Sequence, residues 1–145
     1  MYVHNNKHAF HRTNRLENTL WYDHARILGI NAKRRPWPLR GRPYGWLGYS
    51  TLDRITVAAN HRCEFFVGWH EITHASLKGR TCESRSWALH YTRYTVAEEE
   101  FADCVAELAC LKWGYPCMDR NEWRVREVAM AHAKHLFENL CKELA

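Results

Sequence analysis

The chain has 145 residues, of which 46% are hydrophobic and 26% charged, so it suits one globular domain with one core and is not a disordered polypeptide. Residues 1–62 carry a net charge of +8 and residues 63–145 a net charge of −3, within an overall charge of +5. This asymmetry hints at a polyanionic partner. We expect a single domain over 1–145, with a basic N-terminal helix and arm over about 1–43 and a core over about 44–145.

The first residues of the chain contain no apolar h-region, and no apolar run is long enough to cross a bilayer. We therefore expect a cytoplasmic protein with no membrane partner. The six cysteines include no C-x-x-C pair, which favours buried free thiols over a disulfide framework. The sequence carries no signal for an oligomeric state.

The first predicted helix spans about 15–28, with Asn14 as its cap and Gly29 after its last turn. Residues 33–43 contain three prolines and five basic residues, which predicts an exposed loop or arm. Two short strands are then expected over 44–51 and 54–58, joined by a turn.

The remainder of the chain is predicted to be mainly helical. Residues 62–77 are apolar on nearly every side, which indicates a buried helix. A capping box at Thr95 starts a helix that ends at Trp113, before Gly114. A last helix begins after Asp119 and continues to about Glu143. The pattern predicts an α+β fold, mostly helical with a small sheet.

The buried helix contains an H-E-x-x-H motif, formed by His70, Glu71 and His74. Histidines at i and i+4 lie about 40° apart around a helix, so both rings reach one ion. Zinc accepts His nitrogens and leaves a position open for water in catalytic sites. Glu71 can accept a proton from that water. The motif also occurs by chance, but a buried His pair beside a buried Glu is costly unless something satisfies them.

The helix after Thr95 offers a third ligand. On a helical wheel, Glu99 and Asp103 lie about 40° apart on a face otherwise made of small and apolar groups. Glu98, Glu100 and Glu107 fall toward the flanks, where water is plausible. We expect Glu99 to be the third ligand and Asp103 to accept the free ring N–H of a ligand histidine. A helix-dipole preference for acidic N-termini is the alternative; it accounts for Glu98 and partly for Glu99, but not for Asp103.

Together, the two segments resemble the gluzincin pattern H-E-x-x-H…E-x-x-A-[D/E/N]-x-x-A. They are similar to ImmA/IrrE-type peptidases and to the metallopeptidase domain of ArdC-type antirestriction proteins, which are typical of phages and mobile elements. The resemblance covers about residues 52–140. ArdC-type proteins also carry a separate N-terminal domain that binds single-stranded DNA, whereas only residues 1–51 precede the matching region here.

The resemblance implies a zincin-like fold with an H-E-x-x-H active-site helix. It implies a zinc metallopeptidase with one Zn²⁺ per chain, a protein or peptide substrate, and a place in the host cytoplasm if the chain is phage-encoded. Glu71 would act as the base. The strand at 55–57 could pair with an extended substrate, because sheet-edge addition holds peptides by main-chain bonds.

Asp103 and His90 remain alternative third ligands. His90 follows His74 by 16 residues, a gap seen in SprT-like DNA–protein crosslink proteases. His90, Tyr91 and Tyr94 could instead stabilise the transition state by donating a hydrogen bond to its oxyanion. Simple packing of an aromatic loop accounts for them equally well.

A rival function is a nucleic-acid-binding or partner-binding module in which the zinc is structural. Its evidence is the basic arm, with Trp37 and Tyr44 available for stacking on bases. A solvated loop that keeps a tryptophan-rich protein in solution is the alternative. The candidate nucleic-acid contacts are Lys33, Arg34, Arg35, Trp37, Arg40 and Arg42.

Overall fold

The computed structural model describes residues 2–3, 19–51, 54–78, 95–118 and 126–145. Within them lie the strands β1 (Tyr2–Val3), β2 (Ala32–Arg35), β3 (Trp46–Ser50) and β4 (Ile55–Ala58). The helices are α1 (Leu20–Ile27), α2 (Glu64–Lys78), α3 (Thr95–Trp113) and α4 (Arg126–Leu144). The fold is α+β, mostly helical with a small sheet, which confirms the predicted class at that level.

The boundaries of α3 follow its predicted start and stop signals, and α2, at Glu64–Lys78, lies within two residues of the predicted span 62–77. The helix α3 spans Thr95–Trp113, as the capping box and Gly114 predict, and Gly114 has the positive φ of 78° that a glycine tolerates at a helix end. The predicted start of α4 after Asp119 lies outside the described residues.

The described part of the first helix begins at Leu20, with Thr19 at its N-cap position, and the Thr19 carbonyl accepts a hydrogen bond from Tyr22 N at 2.9 Å. The predicted start near residue 15 and the predicted cap Asn14 lie outside the described residues. The helix ends at Ile27, and Gly29 follows its last turn as predicted, with a φ of 75°.

The predicted exposed arm is wrong over residues 33–35. These residues belong to β2, which pairs in parallel with β4, with Ala32 opposite Ile55. Within this strand Arg34 pairs with the fully buried carboxylate of Glu64 on α2, with Nε 2.7 Å and Nη2 2.9 Å from its oxygens. Arg34 can therefore lie in the sheet, since its charge is paired with a carboxylate that is distant in the sequence.

The strand order is β1-β3-β4-β2. β4 is therefore an inner strand, antiparallel to β3 on one side and parallel to β2 on the other. The predicted pairing of residues 55–57 with a substrate is wrong, because both edges of that strand already carry main-chain partners.

The helix α2 forms the centre of the molecule, packed against the sheet on one side and α3 on the other, while α4 covers α3. Two glycines permit these close approaches. A Cβ on Gly68 would lie 2.3 Å from the ring of Trp21 on α1, and one on Gly48 of β3 would lie 2.8 Å from Val67 Cγ1 on α2. The core therefore positions the H-E-x-x-H helix on three sides.

Five cysteines lie in the described part of the chain, and none of the five forms a disulfide bond. Three of them are buried: Cys63, Cys104 and Cys110. None of the described helices is sufficiently long and apolar to cross a membrane.

Candidate metal centre

The helices α2 and α3 bring two imidazoles and one carboxylate together. The Nε2 atoms of His70 and His74 lie 3.1 Å apart. Glu99 places Oε2 2.9 Å from His70 Nε2 and Oε1 2.9 Å from His74 Nε2. These three residues form a group that could hold a metal ion.

The donor set fits a small divalent cation. Ligand atoms at about 2.0–2.1 Å from a tetrahedral zinc stand about 3.3 Å from one another. The observed separations of 2.9–3.1 Å are a few tenths of an ångström shorter. A zinc ion would therefore require the three ligand atoms to move apart by only that amount.

Each histidine has its second ring nitrogen held by a further carboxylate. Nδ1 of His70 lies 2.8 Å from Asp103 Oδ1, and Nδ1 of His74 lies 3.1 Å from Glu98 Oε1. An Nδ1–H that donates to a carboxylate leaves the Nε2 lone pair directed at a metal. The paired carboxylates thus orient both Nε2 atoms toward Glu99.

The carboxylates around His70 and His74 favour a positive charge at this site. Burial alone would lower the pKa of His70, but Glu99 and Asp103 outweigh it and raise that pKa to about 10 in the protein alone. Burial likewise opposes a charged His74, yet Glu98 and Glu99 raise its pKa. Burial would raise the pKa of Glu99, whereas the two histidines hold it well below its usual range. Protons and metal ions therefore compete for the same nitrogens.

Glu71 is the carboxylate of the cluster with no partner of its own. It is fully buried, and neither of its oxygens has a hydrogen-bond partner among the described residues. Its side chain lies over β3, where a Cβ on Gly48 would be 3.2 Å from Glu71 Cγ and 3.3 Å from Oε2. A buried carboxylate without a partner costs free energy unless a ligand or a water uses it.

Three features of this site were not predicted from the sequence. Glu98 and Glu100 were expected toward water, whereas Glu98 contacts His74 and Glu100 is fully buried. The pairing of the two helices is the signal that could have identified Glu98. If α2 and α3 run antiparallel and His70 contacts Asp103, then His74, one turn after His70, contacts a residue about one turn before Asp103. Nothing in the local sequence distinguishes Gly48 as the residue beneath Glu71.

The predicted nucleic-acid contacts separate into two groups. Arg34 is occupied by Glu64 inside the fold. Trp37 is half-buried, donates its Nε1–H to Tyr44 O at 3.0 Å and packs edge-on against the Tyr44 ring. Tyr44 is 69% exposed, so it is the more accessible of the two rings.

The other basic residues lie on the sheet face that points away from α2. Lys33 is paired across the strands with Thr56, and Thr56 with Tyr49. Their side chains point to the opposite face of the sheet from the neighbouring row, which contains Gly48 and faces α2. A groove of about 450 Å³ opens here, and Arg42 lies over the Tyr49 ring at 4.3 Å. The groove is lined by Arg35, Pro36, Pro38, Leu39, Arg40, Tyr49 and Thr56.

The predicted transition-state stabilisers lie outside the described residues: His90, Tyr91 and Tyr94. The alternative that His90 is a metal ligand lies outside them as well. Asp103, the other alternative ligand, contacts His70 through Nδ1 rather than Nε2. No protein-family model, curated protein or solved structure matches the chain.

Proposed function

We propose that the protein is a zinc-dependent peptidase in which His70, His74 and Glu99 bind the metal and Glu71 is the general base. The observation that carries the proposal is the convergence of both Nε2 atoms on Glu99, with the partnerless carboxylate of Glu71 on the same helix. Two imidazoles and one carboxylate form a donor set of catalytic zinc sites, and a fourth position stays open.

The chemistry divides between the metal and the chain. A bound zinc ion supplies Lewis acidity that polarises a carbonyl and lowers the pKa of water. Glu71 removes a proton from the attacking water and returns it to the leaving amine. Asp103 and Glu98 keep the ligand imidazoles in the required tautomer. The resemblance of the two motifs to gluzincins supports the same assignment.

A Glu71→Gln substitution tests the proposal. The purified protein should contain about one zinc per chain. The variant should keep that zinc while losing hydrolysis of an unfolded protein such as labelled casein, because the amide cannot accept the proton. Glu138→Gln makes the same change on the exposed surface of α4 and should leave the rate unchanged. A near-normal rate in Glu71→Gln would remove Glu71 from the mechanism.

The same experiment distinguishes a catalytic from a structural metal. A structural zinc has four protein ligands and does not need Glu71. If neither the parent nor Glu71→Gln hydrolyses casein, and spectroscopy of a cobalt-substituted protein shows four protein donors with no exchangeable water, the peptidase assignment is wrong.

A second candidate function is binding of single-stranded nucleic acid by the groove on the outer sheet face. It is favoured by the position of Arg35 and Arg40 in a groove whose lining, in the part of the chain described, contains no carboxylate. Exposed Tyr44 lies in the same segment of the chain and offers a ring for stacking. This surface lies across the sheet from the metal centre, so both functions are compatible.

Salt-dependent binding of a labelled oligonucleotide tests this second function. Its logarithmic salt slope should be about −0.7 per phosphate contacted. Arg35→Gln/Arg40→Gln should flatten the slope, whereas Lys134→Gln/Lys142→Gln removes two charges from α4 and should not. Equal slopes for the two double variants would leave the groove without a role in nucleic-acid binding.

A further inference from the structure

A pair of thiols lies at the C-terminal end of α3. Cys110 is in the last turn of the helix, and Cys117 follows the glycine turn at Gly114. Cys110 is buried, whereas Cys117 is exposed, and neither forms a disulfide bond in this structure. One thiol of the pair can therefore meet a solute directly, while the other is shielded from it.

The turn after α3 folds the chain back onto Cys110. The carbonyl oxygen of Cys110 accepts hydrogen bonds from Gly114 N at 2.8 Å and from Tyr115 N at 3.0 Å. The thiol of Cys110 donates to Pro116 O at 3.5 Å. That oxygen and the Cα of Cys117 belong to the same planar peptide group, so the backbone of Cys117 lies next to the Cys110 sulfur.

The two thiols also interact through their side chains. A hydrogen bond with Cys117, together with burial and further effects of Cys63 and Glu107, raises the pKa of Cys110. Cys110 therefore keeps its proton, and the exposed Cys117 is the member of the pair that can present a thiolate to a solute. Cys63 is buried like Cys110, so it cannot be the first thiol to meet an oxidant.

We propose that Cys117 and Cys110 form a reversible dithiol–disulfide pair that reacts with small-molecule disulfides. The Cys117 thiolate attacks one sulfur of the small disulfide, which creates a mixed disulfide and releases one small thiolate. The Cys110 sulfur then attacks Cys117 Sγ, and the second small thiolate leaves and takes up the Cys110 proton. The two protein thiols lose two electrons and two protons in total, and the small disulfide is reduced to two thiols.

The disulfide fastens the segment after Gly114 to the last turn of α3. That segment is already held by the Tyr115 ring, which stacks on Phe65 of α2 with a centroid separation of 3.9 Å. Because the fold holds both ends of the closed loop close together before the bond forms, the bond mainly constrains the unfolded chain. The reaction needs neither zinc nor Glu71, so it is independent of the proposed peptidase function.

Equilibration of the full-length protein in mixtures of reduced and oxidised glutathione tests the pair. Oxidising mixtures should remove two hydrogen atoms from the protein, as measured by mass spectrometry, and reducing mixtures should restore them. Trypsin cleaves after Lys112, so a Cys110–Cys117 bond joins two peptides, and the second peptide contains no cysteine except Cys117. Fragmentation of the first peptide distinguishes Cys110 from Cys104. A bond to Cys104 or Cys63, or a mixed disulfide at Cys117 that never resolves, would overturn the proposal.

Matched serine variants link the bond to its effect on stability. Cys117→Ser changes an exposed side chain and should fold, whereas Cys141→Ser makes the same change at a partly exposed position on α4. Oxidation should raise the Tm of the parent and of Cys141→Ser by about 5–10 °C, since the bond closes a short loop. The Tm of Cys117→Ser should not respond to oxidation. The same shift in both variants, or no disulfide in the parent, would exclude the pair.

Discussion

Both ring nitrogens of each metal-site histidine face a carboxylate, but the four contacts differ in kind. Glu99 faces the two Nε2 atoms, whereas Asp103 and Glu98 each hold one Nδ1. If the proposed site binds zinc, loss of Glu99 removes a ligand, and loss of Asp103 or Glu98 only loosens the orientation of a ring. The affinity for the metal should therefore decrease most when Glu99 is replaced.

We predict that Glu99→Ala abolishes tight zinc binding, while Asp103→Asn weakens it about 10–100-fold. Glu98→Gln should cost less than Asp103→Asn, because the side chain of Glu98 is 23% exposed and that of Asp103 only 7%. Titration against a chromophoric chelator measures all three affinities. A larger loss for Asp103→Asn than for Glu99→Ala would transfer the ligand role to Asp103.

A second prediction concerns His24, which lies in the aromatic core against Trp69. Its Nδ1 accepts a hydrogen bond from Trp69 Nε1 at 3.1 Å, so the ring must be neutral. Burial lowers the pKa of His24 below its usual 6.5, against a smaller opposing effect of Asp23. The unfolded chain therefore binds the proton first, and this part of the stability is lost as the pH falls below about 6.5.

Urea unfolding at pH 7.5 and 5.5 measures this effect. Asn at position 24 can accept the same hydrogen bond but does not titrate. The free energy of unfolding should fall more in the wild type than in His24→Asn over this pH range. Parallel losses in the two proteins would show that His24 is not the titrating group.

At the scale of elements, Gly48 sets the distance between β3 and α2. A methyl group there would lie 2.8 Å from Val67 Cγ1, closer than packed carbon atoms can approach. We predict that Gly48→Ala lowers the free energy of unfolding by about 1–3 kcal/mol, as over-packing of a core does. It should also reduce hydrolysis, because Glu71 lies against the same position.

The double variant Gly48→Ala/Val67→Ala is the control for the proposed clash. Removal of Val67 Cγ1 makes room for the new methyl group, so the two losses measured by urea unfolding should sum to more than the loss of the double variant. Additive losses would place the strain elsewhere.

The elements that the sequence predicted well are those whose signals are local. The capping box at Thr95 and the stop at Gly114 gave the bounds of α3, since both signals act within one turn. β2 was missed because its identity depends on Glu64, thirty residues from Arg34. Taken without that buried carboxylate, three prolines and a run of basic residues predict a loop.

The same division applies to the metal centre. Helical spacing was sufficient to suggest that His70 and His74 share a face and that Glu99 and Asp103 share another. The facing of α2 and α3, which brings Glu98 to His74, depends on packing across the core. The position of Gly48 beneath Glu71 depends on the register of a sheet and a helix together, which no local pattern encodes.

Across the whole molecule, the metal centre joins segments that are distant in the chain, α2 and α3. Four carboxylates and two imidazoles meet there, where α2 packs on α3: Glu71, Glu98, Glu99, Asp103, His70 and His74. A cation that binds the folded chain and not the unfolded one must therefore stabilise the whole domain.

We predict that zinc at 100 times its dissociation constant stabilises the protein by about 2.7 kcal/mol. For a domain of this size, that corresponds to a rise in Tm of about 5–10 °C. Differential scanning calorimetry of the zinc-loaded protein and of the chelator-treated protein measures the difference. His70→Ala/His74→Ala should show no dependence of Tm on zinc, and magnesium should not replace zinc, because it prefers oxygen ligands in octahedral geometry. The same Tm with and without zinc, in a protein shown to bind it, would mean that the ion contacts the unfolded chain as strongly as this cluster.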